Sequence, residues 1–377
     1  MNSRKIALVL SGGGSRGAYQ CGVWQALEEL GIKIDIVVGV SVGAINGAMV
    51  VQGDVVKTAN LWREMATDMV FDVDPDAQIQ DFAKEFVVNR GAGSTGMQKM
   101  MRQYVDENIV RNSPVEYGLL TVEFPAMKPY YVWKEDIPKG KLNDYITASA
   151  SAFPAIHTHQ IDGKDFIDGG YEDNLPVTMA LEKGATDVIA VYLDAIGRFH
   201  PEELEEVPNL TFIKSKWDLG DFLVFDHANT KRILRIGYLD AMKIFGVFDG
   251  EYYTFVKDEF DKRTLKQADQ AARLFELDPL ILYRKDSLLE SLEQAVTAAN
   301  NDMDLDIDMS LSSLKSLASL GKIKEILKIA NRRTVTLFIA DSLRAKSGES
   351  IFLSKYARRI LKDEVNAARF LVNNGLV

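Results

Sequence analysis

Along the first half of the chain, short apolar runs alternate with longer stretches whose apolar residues recur every three or four positions. That is the pattern of strands feeding helices in an α/β sheet. Residues 4–10 predict a strand, 16–30 a helix, 35–38 a second strand, and 42–52 and 55–65 two further helices. Strands follow at 116–124 and 129–133, then a helix over 141–150. The stretches 157–161 and 164–167 flank Asp162-Gly163, a strong two-residue hairpin signal. Val- and Ile-rich strands follow at 187–193 and 210–213. Beyond about residue 227 the period changes to a helical one, over 227–245, 258–276, 281–299, 310–318, 322–333 and 351–373, with little strand propensity between them. The pattern predicts an α/β domain over 1–255 and a helical region over 256–377.

Composition narrows the class. At 47% hydrophobic and 26% charged the chain is of globular type, and no apolar run approaches the ~20 residues that cross a bilayer. The apolar Ile6–Leu10 is too short for a secretory core and ends in glycines, so it reads as a strand. A lone cysteine, Cys21, excludes an intrachain disulfide and suits a reducing compartment, so a cytoplasmic location is expected. A net charge of −10 argues against nucleic acid as a partner. The charge is uneven: from Lys315 to Val377 there are 13 Lys+Arg against 5 Asp+Glu. The aspartates of 302–308 suggest calcium, but an EF-hand loop starting at Asp302 would need Gly where Ile307 stands and Glu where Ser313 stands, so they read as a solvated connector.

Candidate chemistry begins at Ser11-Gly12-Gly13-Gly14-Ser15-Arg16-Gly17, between the first strand and its helix. The spacing satisfies a dinucleotide fingerprint, but the acid expected at the far end of the second strand is missing: Asp35 sits at its start. No Gly-Lys-Ser/Thr follows, which excludes a Walker loop. Glycine amides at a helix N-terminus also suit the oxyanion of an attacked ester. The second strand runs into Gly39-Val40-Ser41-Val42-Gly43 and then a helix, the strand–turn–helix setting that gives G-x-S-x-G its meaning. Ser41 is therefore the candidate nucleophile.

A serine needs a base. Of the four histidines, His200 lies in an acidic stretch, His227 opens a helix, and His157 and His159 alternate on one predicted strand, where a metal pair lacks a third ligand. Asp168-Gly169-Gly170 ends the predicted hairpin and offers a carboxylate, although Asp-Gly taken alone is more often a turn.

Taken in order, Gly12-Gly13-Gly14-Ser15-Arg16-Gly17, Gly39-Val40-Ser41-Val42-Gly43 and Asp168-Gly169-Gly170 resemble the motifs of the patatin-like phospholipase family. The segment Ala148–Pro154 and Asn174-Leu175-Pro176 match it as well, so the resemblance covers about residues 5–215. It implies a three-layer α/β/α sandwich with a mainly parallel sheet, and lipid acyl hydrolysis of phospholipase A or lysophospholipase type without metal or organic cofactor. It makes Ser41 the nucleophile, Asp168 the base in a dyad without histidine, and the Gly12, Gly13 and Gly14 loop the oxyanion hole. Arg16 matches a family arginine that steadies this loop or meets a substrate phosphate. Ser11 departs from the aspartate often found there, at a variable position.

The alternatives are an esterase or thioesterase for small soluble acyl groups and a non-catalytic lipid- or nucleotide-binding regulator. In the tail, 322–333 and 351–372 carry apolar stripes flanked by Lys and Arg. These stripes either dock peripherally on anionic lipid or pack against the rest of the protein.

Overall fold

The computed structural model describes residues 4–71, 93, 95–305, 331–345 and 359–377. By its contacts the chain divides into two compact units, Met1–Ile244 and Phe245–Val377.

The first unit is built on an eight-stranded sheet of order β5-β6-β3-β2-β1-β7-β8, with β4 also on β3. The strands are β1 (Ile6–Leu10), β2 (Ile36–Val40), β3 (Glu116–Phe124), β4 (Lys128–Trp133), β5 (His159–Ile161), β6 (Lys164–Asp168), β7 (Asp187–Tyr192) and β8 (Leu210–Lys214). β3, β2, β1, β7 and β8 run parallel; β4, β5 and β6 form the antiparallel end.

Both faces of the parallel part are covered, which is why its strands read as continuous apolar runs. Ala7, Val9, Ile36 and Val38 share a core with Val188, Ala190 and the helix Val177–Glu182. Leu8, Leu10 and Val37, which alternate with them, are equally buried, and Gly47 of α2 (Val42–Gln52) lies against Val37. With α1 (Gly17–Glu29) and α3 (Val55–Glu64) on this side, the unit is a three-layer α/β/α sandwich.

One register detail sets up the site. β3 pairs with β2 over Glu116–Leu120 and with β4 over Gly118–Glu123, so those two partners hold opposite edges of β3. β6 pairs with Thr121–Phe124 and must therefore continue the β2 edge. Val40 faces Leu120 and Asp168 faces Thr121, so the ends of β2 and β6 meet at successive residues of one strand.

The second unit differs from the expectation for its region. Residues 245–255, placed above with the first part, contain Phe248–Asp249 and the start of Thr254–Val256, which pair with each other and with Leu282–Tyr283 in a small sheet. Strands of two or three residues are too short to show an alternating pattern. Asp269 of the helix Lys262–Leu274 secures the turn by accepting from the amides of Glu251, Tyr252 and Tyr253 at 3.1, 2.9 and 2.8 Å. The helices Lys285–Leu305, Arg332–Arg344 and Lys362–Asn373 complete the described part. Leu361, Val365 and Ala368, from the second basic stripe, are buried in a core with Val335, Phe338 and Ile339. That apolar face is spent on packing. The stripe of 322–333 lies almost wholly outside the described residues, as do the helix of 310–318 and the side chains of 302–308.

Candidate active site

Ser41 caps the N-terminus of α2 directly after β2, with φ 57° and ψ −128°. A non-glycine residue held at positive φ stores strain, and its surroundings must over-determine it. Two glycines make the turn feasible: a Cβ on Gly39 would lie 2.1 Å from the Gly43 carbonyl oxygen, and one on Gly43 would lie 2.2 Å from the Leu10 carbonyl oxygen. A third clamp was not legible in the sequence. Ser149 Oγ accepts the Ser41 N–H at 3.0 Å and donates to the Leu120 carbonyl at 2.7 Å, tying the elbow to β3.

Asp168 ends β6, leading into the short 3-10 turn Gly169–Tyr171. Its amide donates to Ser151 O at 2.9 Å. Its carboxylate accepts from the Gly170 amide at 2.8 Å, and it lines the same cavity as Ser41, whose hydroxyl favours its charged form. Burial pushes its pKa up to about 6 despite the Ser41 hydroxyl and the Gly170 amide, both of which favour the charged form. Predicted Ser41 and Asp168 thus line the same cavity.

No histidine lines this cavity. His157 precedes β5 and does not share a strand with His159. His159 Nε2 lies 3.3 Å from Asp144, His200 contacts Glu202 and the Glu172 carbonyl, and His227 Nδ1 lies 3.0 Å from the Arg63 carbonyl.

The glycine loop divides in function. Gly12 donates its amide to Asn174 Oδ1 at 3.0 Å, so it is not a donor for an oxyanion. The amides of Gly13 and Gly14 meet no protein acceptor among the described residues, and both glycines line the cavity with Ser41. Gly17 opens α1. Arg16 does not line the cavity: its Nε donates to Gly220 O at 2.8 Å and its Nη1 to Leu193 O and Asp194 O at 3.3 and 2.8 Å. It therefore braces the loop, and the reading in which it meets a substrate phosphate has no support from its placement. Ser11 does related work, its hydroxyl accepting the Leu193 amide at 2.9 Å.

From Ser41 and Asp168 the cavity extends for about 340 Å³ between α3 and the helix Thr95–Tyr104. Its wall is apolar, with Met49, Met65, Met97, Met100 and Met101 beside Trp62, which stacks on Phe225 at 6.1 Å between ring centroids. At its mouth Ile196 is 82% exposed. Among the described residues no group of His, Cys, Asp and Glu is arranged to hold a metal ion, and no helix is long and apolar enough to cross a membrane.

Sheet, elbow and carboxylate define an α/β/α sandwich with Ser41 at a strand-to-helix turn and Asp168 in the same cavity. Residues 8–181 match the model of the patatin-like phospholipase family. It is 30% identical over 227 residues to lysophospholipase nte1 of Aspergillus terreus, an alignment covering 53% of this chain and 12% of that protein. To human patatin-like phospholipase domain-containing protein 6 it is 32% identical over 194 residues, 51% of this chain and 13% of the relative. The chain thus spans only about an eighth of the length of these curated relatives. Among solved structures, VipD from Legionella pneumophila aligns over 99% of this chain and 90% of its own, at 13% identity and a TM-score of 0.41.

Proposed function

We propose that this protein is a serine lipid acyl hydrolase of phospholipase A or lysophospholipase type, working through a Ser41–Asp168 dyad. The observation that carries the reading is a strained serine and a buried carboxylate lining one apolar cavity. In this mechanism Asp168 accepts the proton as Ser41 Oγ attacks the acyl carbonyl. The Gly13 and Gly14 amides receive the oxyanion, and the lysolipid or alcohol leaves with the proton. Water, deprotonated by Asp168, then releases the fatty acid from Ser41. The fatty chain lies along the methionine wall, and no step calls for a metal or organic cofactor. The relatives named lysophospholipases support the same substrate class. The apolar face of the last helix is buried and so is not itself a lipid-docking face, whereas Ile196, which lines the cavity, is exposed and offers apolar contact there.

The test is labelling with a fluorophosphonate alongside hydrolysis of lysophosphatidylcholine. Wild type should label and release fatty acid, Ser41→Ala should do neither, and Asp168→Asn should lose roughly 10³-fold or more in kcat. Full activity in Asp168→Asn, or a folded wild type that takes no label, would remove the dyad. Equal kcat/KM on acetyl and long-chain esters would instead favour an esterase for small acyl groups.

A further inference from the structure

Two buried carboxamides join the glycine loop to the helix that Ser41 caps. Asn46 of α2 and Gln20 of α1 are 3% and 2% exposed. Asn46 Nδ2 donates to the Gly17 carbonyl at 2.9 Å and to Gln20 Oε1 at 2.8 Å, and Gln20 Nε2 donates to the Ser11 carbonyl at 2.7 Å. Asn46 Oδ1 accepts the indole N–H of Trp62 at 3.0 Å. Both orientations are fixed by chemistry: the indole can only donate and the two carbonyls can only accept, so reversing either carboxamide sets like against like.

The carbonyls so held, Ser11 and Gly17, are the two ends of the loop that contains Gly13 and Gly14. The same seam is tight in the backbone. A Cβ on Gly17 would lie 2.5 Å from Cγ2 of Val42, the residue after Ser41, and one on Gly43 would lie 2.7 Å from the Ser11 carbonyl oxygen. The loop's other side-chain braces run elsewhere: Asn174 to the Gly12 amide, Arg16 to the carbonyls of Leu193, Asp194 and Gly220, and Ser15 Oγ to that of Asp221 at 2.7 Å. Burying two carboxamides costs stability unless their donors and acceptors are met, a demand that apolar side chains would not make. A network that meets it imposes one arrangement on the backbone it holds.

We infer that Asn46 is a positioning residue, working with Gln20: the pair grips both ends of the glycine loop and so sets the Gly13 and Gly14 amides at a fixed distance from Ser41. The inference rests on the Ser41–Asp168 reading, with those two amides as the oxyanion site. The role asks neither carboxamide to bond substrate or to move a proton. It supplies placement, and a misplacement of about 1 Å at the reacting centre costs on the order of 10²-fold in rate.

The experiment compares wild type, Asn46→Leu and Gln20→Met as full chains hydrolysing p-nitrophenyl butyrate, with active sites counted by a fluorophosphonate carried to its endpoint. In both variants kcat per labelled site should fall about 10–10²-fold, with KM within about threefold of wild type. Gln20→Glu supplies the rescue. Its carboxyl, kept neutral by burial, can donate to Ser11 O and accept from Asn46, so at about pH 5.5 its kcat per labelled site should return to within about threefold of wild type. A network serving stability alone would leave fewer labelled sites, each turning over at the wild-type rate. That result in whichever of Asn46→Leu and Gln20→Met folds overturns the inference, as does a Gln20→Glu no faster than Gln20→Met at that pH. Both results leave the dyad standing. A folded wild type that neither labels nor turns over removes the dyad reading, and this inference with it.

Discussion

Asp168 is asked to be both buried and charged. Burial lifts its pKa from 3.8 to about 6, so folding binds a proton at pH values between those two numbers. Its contribution to stability is present in full below about 4, where the carboxyl is neutral folded or unfolded. It is lost as the pH rises through 6, and the ionised carboxylate then costs about 3 kcal/mol at most. In the proposed mechanism the same ionisation switches on the base. In wild type, kcat/KM should rise with pH to a plateau through an inflection near 6, measured on a neutral ester. Asp168→Asn should be inactive yet more stable than wild type to urea at pH 8, and that gain should vanish toward pH 4. An Asp168→Asn variant less stable at pH 8 would contradict the burial argument. Asp173, also raised to about 6 by burial, is common to both proteins and cancels from the comparison.

At the scale of elements, two helices meet through missing side chains. A Cβ on Gly22 of α1 would lie 1.9 Å from the Leu234 carbonyl oxygen, and one on Gly237 would lie 2.1 Å from that of Tyr19. Gly237 belongs to the helix His227–Ile244, so α1, which begins at the glycine loop, is seated backbone to backbone against it. Gly237→Ala should force these helices apart and cost about 1–3 kcal/mol in chemical denaturation; an unchanged midpoint would refute that. The elements themselves were largely legible: β1, β2, β3 and α2 fall within a residue or two of their apolar patterns, and Ser41 stands where strand gives way to helix. Less legible were contacts made across the fold. Asp168 resembled a turn residue because its partner reaches it only through the register of β3. Ser149 and Asn174 gave no periodic signal, since each acts through hydrogen bonds to residues distant in sequence. The glycine loop could be recognised, but not that Gly12 spends its amide internally while its neighbours do not.

At the scale of the molecule, the cavity wall is unusual in having five methionines. Their unbranched, polarisable side chains adapt to irregular contents, a wall suited to fatty chains of differing length and bend. Met100→Trp should fill part of that space and lower kcat/KM for palmitoyl esters about tenfold relative to butyryl esters, since each methylene excluded from an apolar site is worth about 1–3 kcal/mol. A proportional loss on both esters would mean that the chain does not run along Thr95–Tyr104.

The meeting of β2 and β6 on consecutive residues of β3 reaches beyond this one molecule. Because a shared strand sets the gap between Ser41 and Asp168, the number of residues separating them in sequence carries no geometric information. Changes of length in the connections between α2 and β3 should therefore leave the proposed dyad in place. That interval also holds α3 and Thr95–Tyr104, the two helices that bound the methionine cavity. On the proposed function, grafting this segment from a relative is expected to change chain-length preference while Ser41 and Asp168 keep their places.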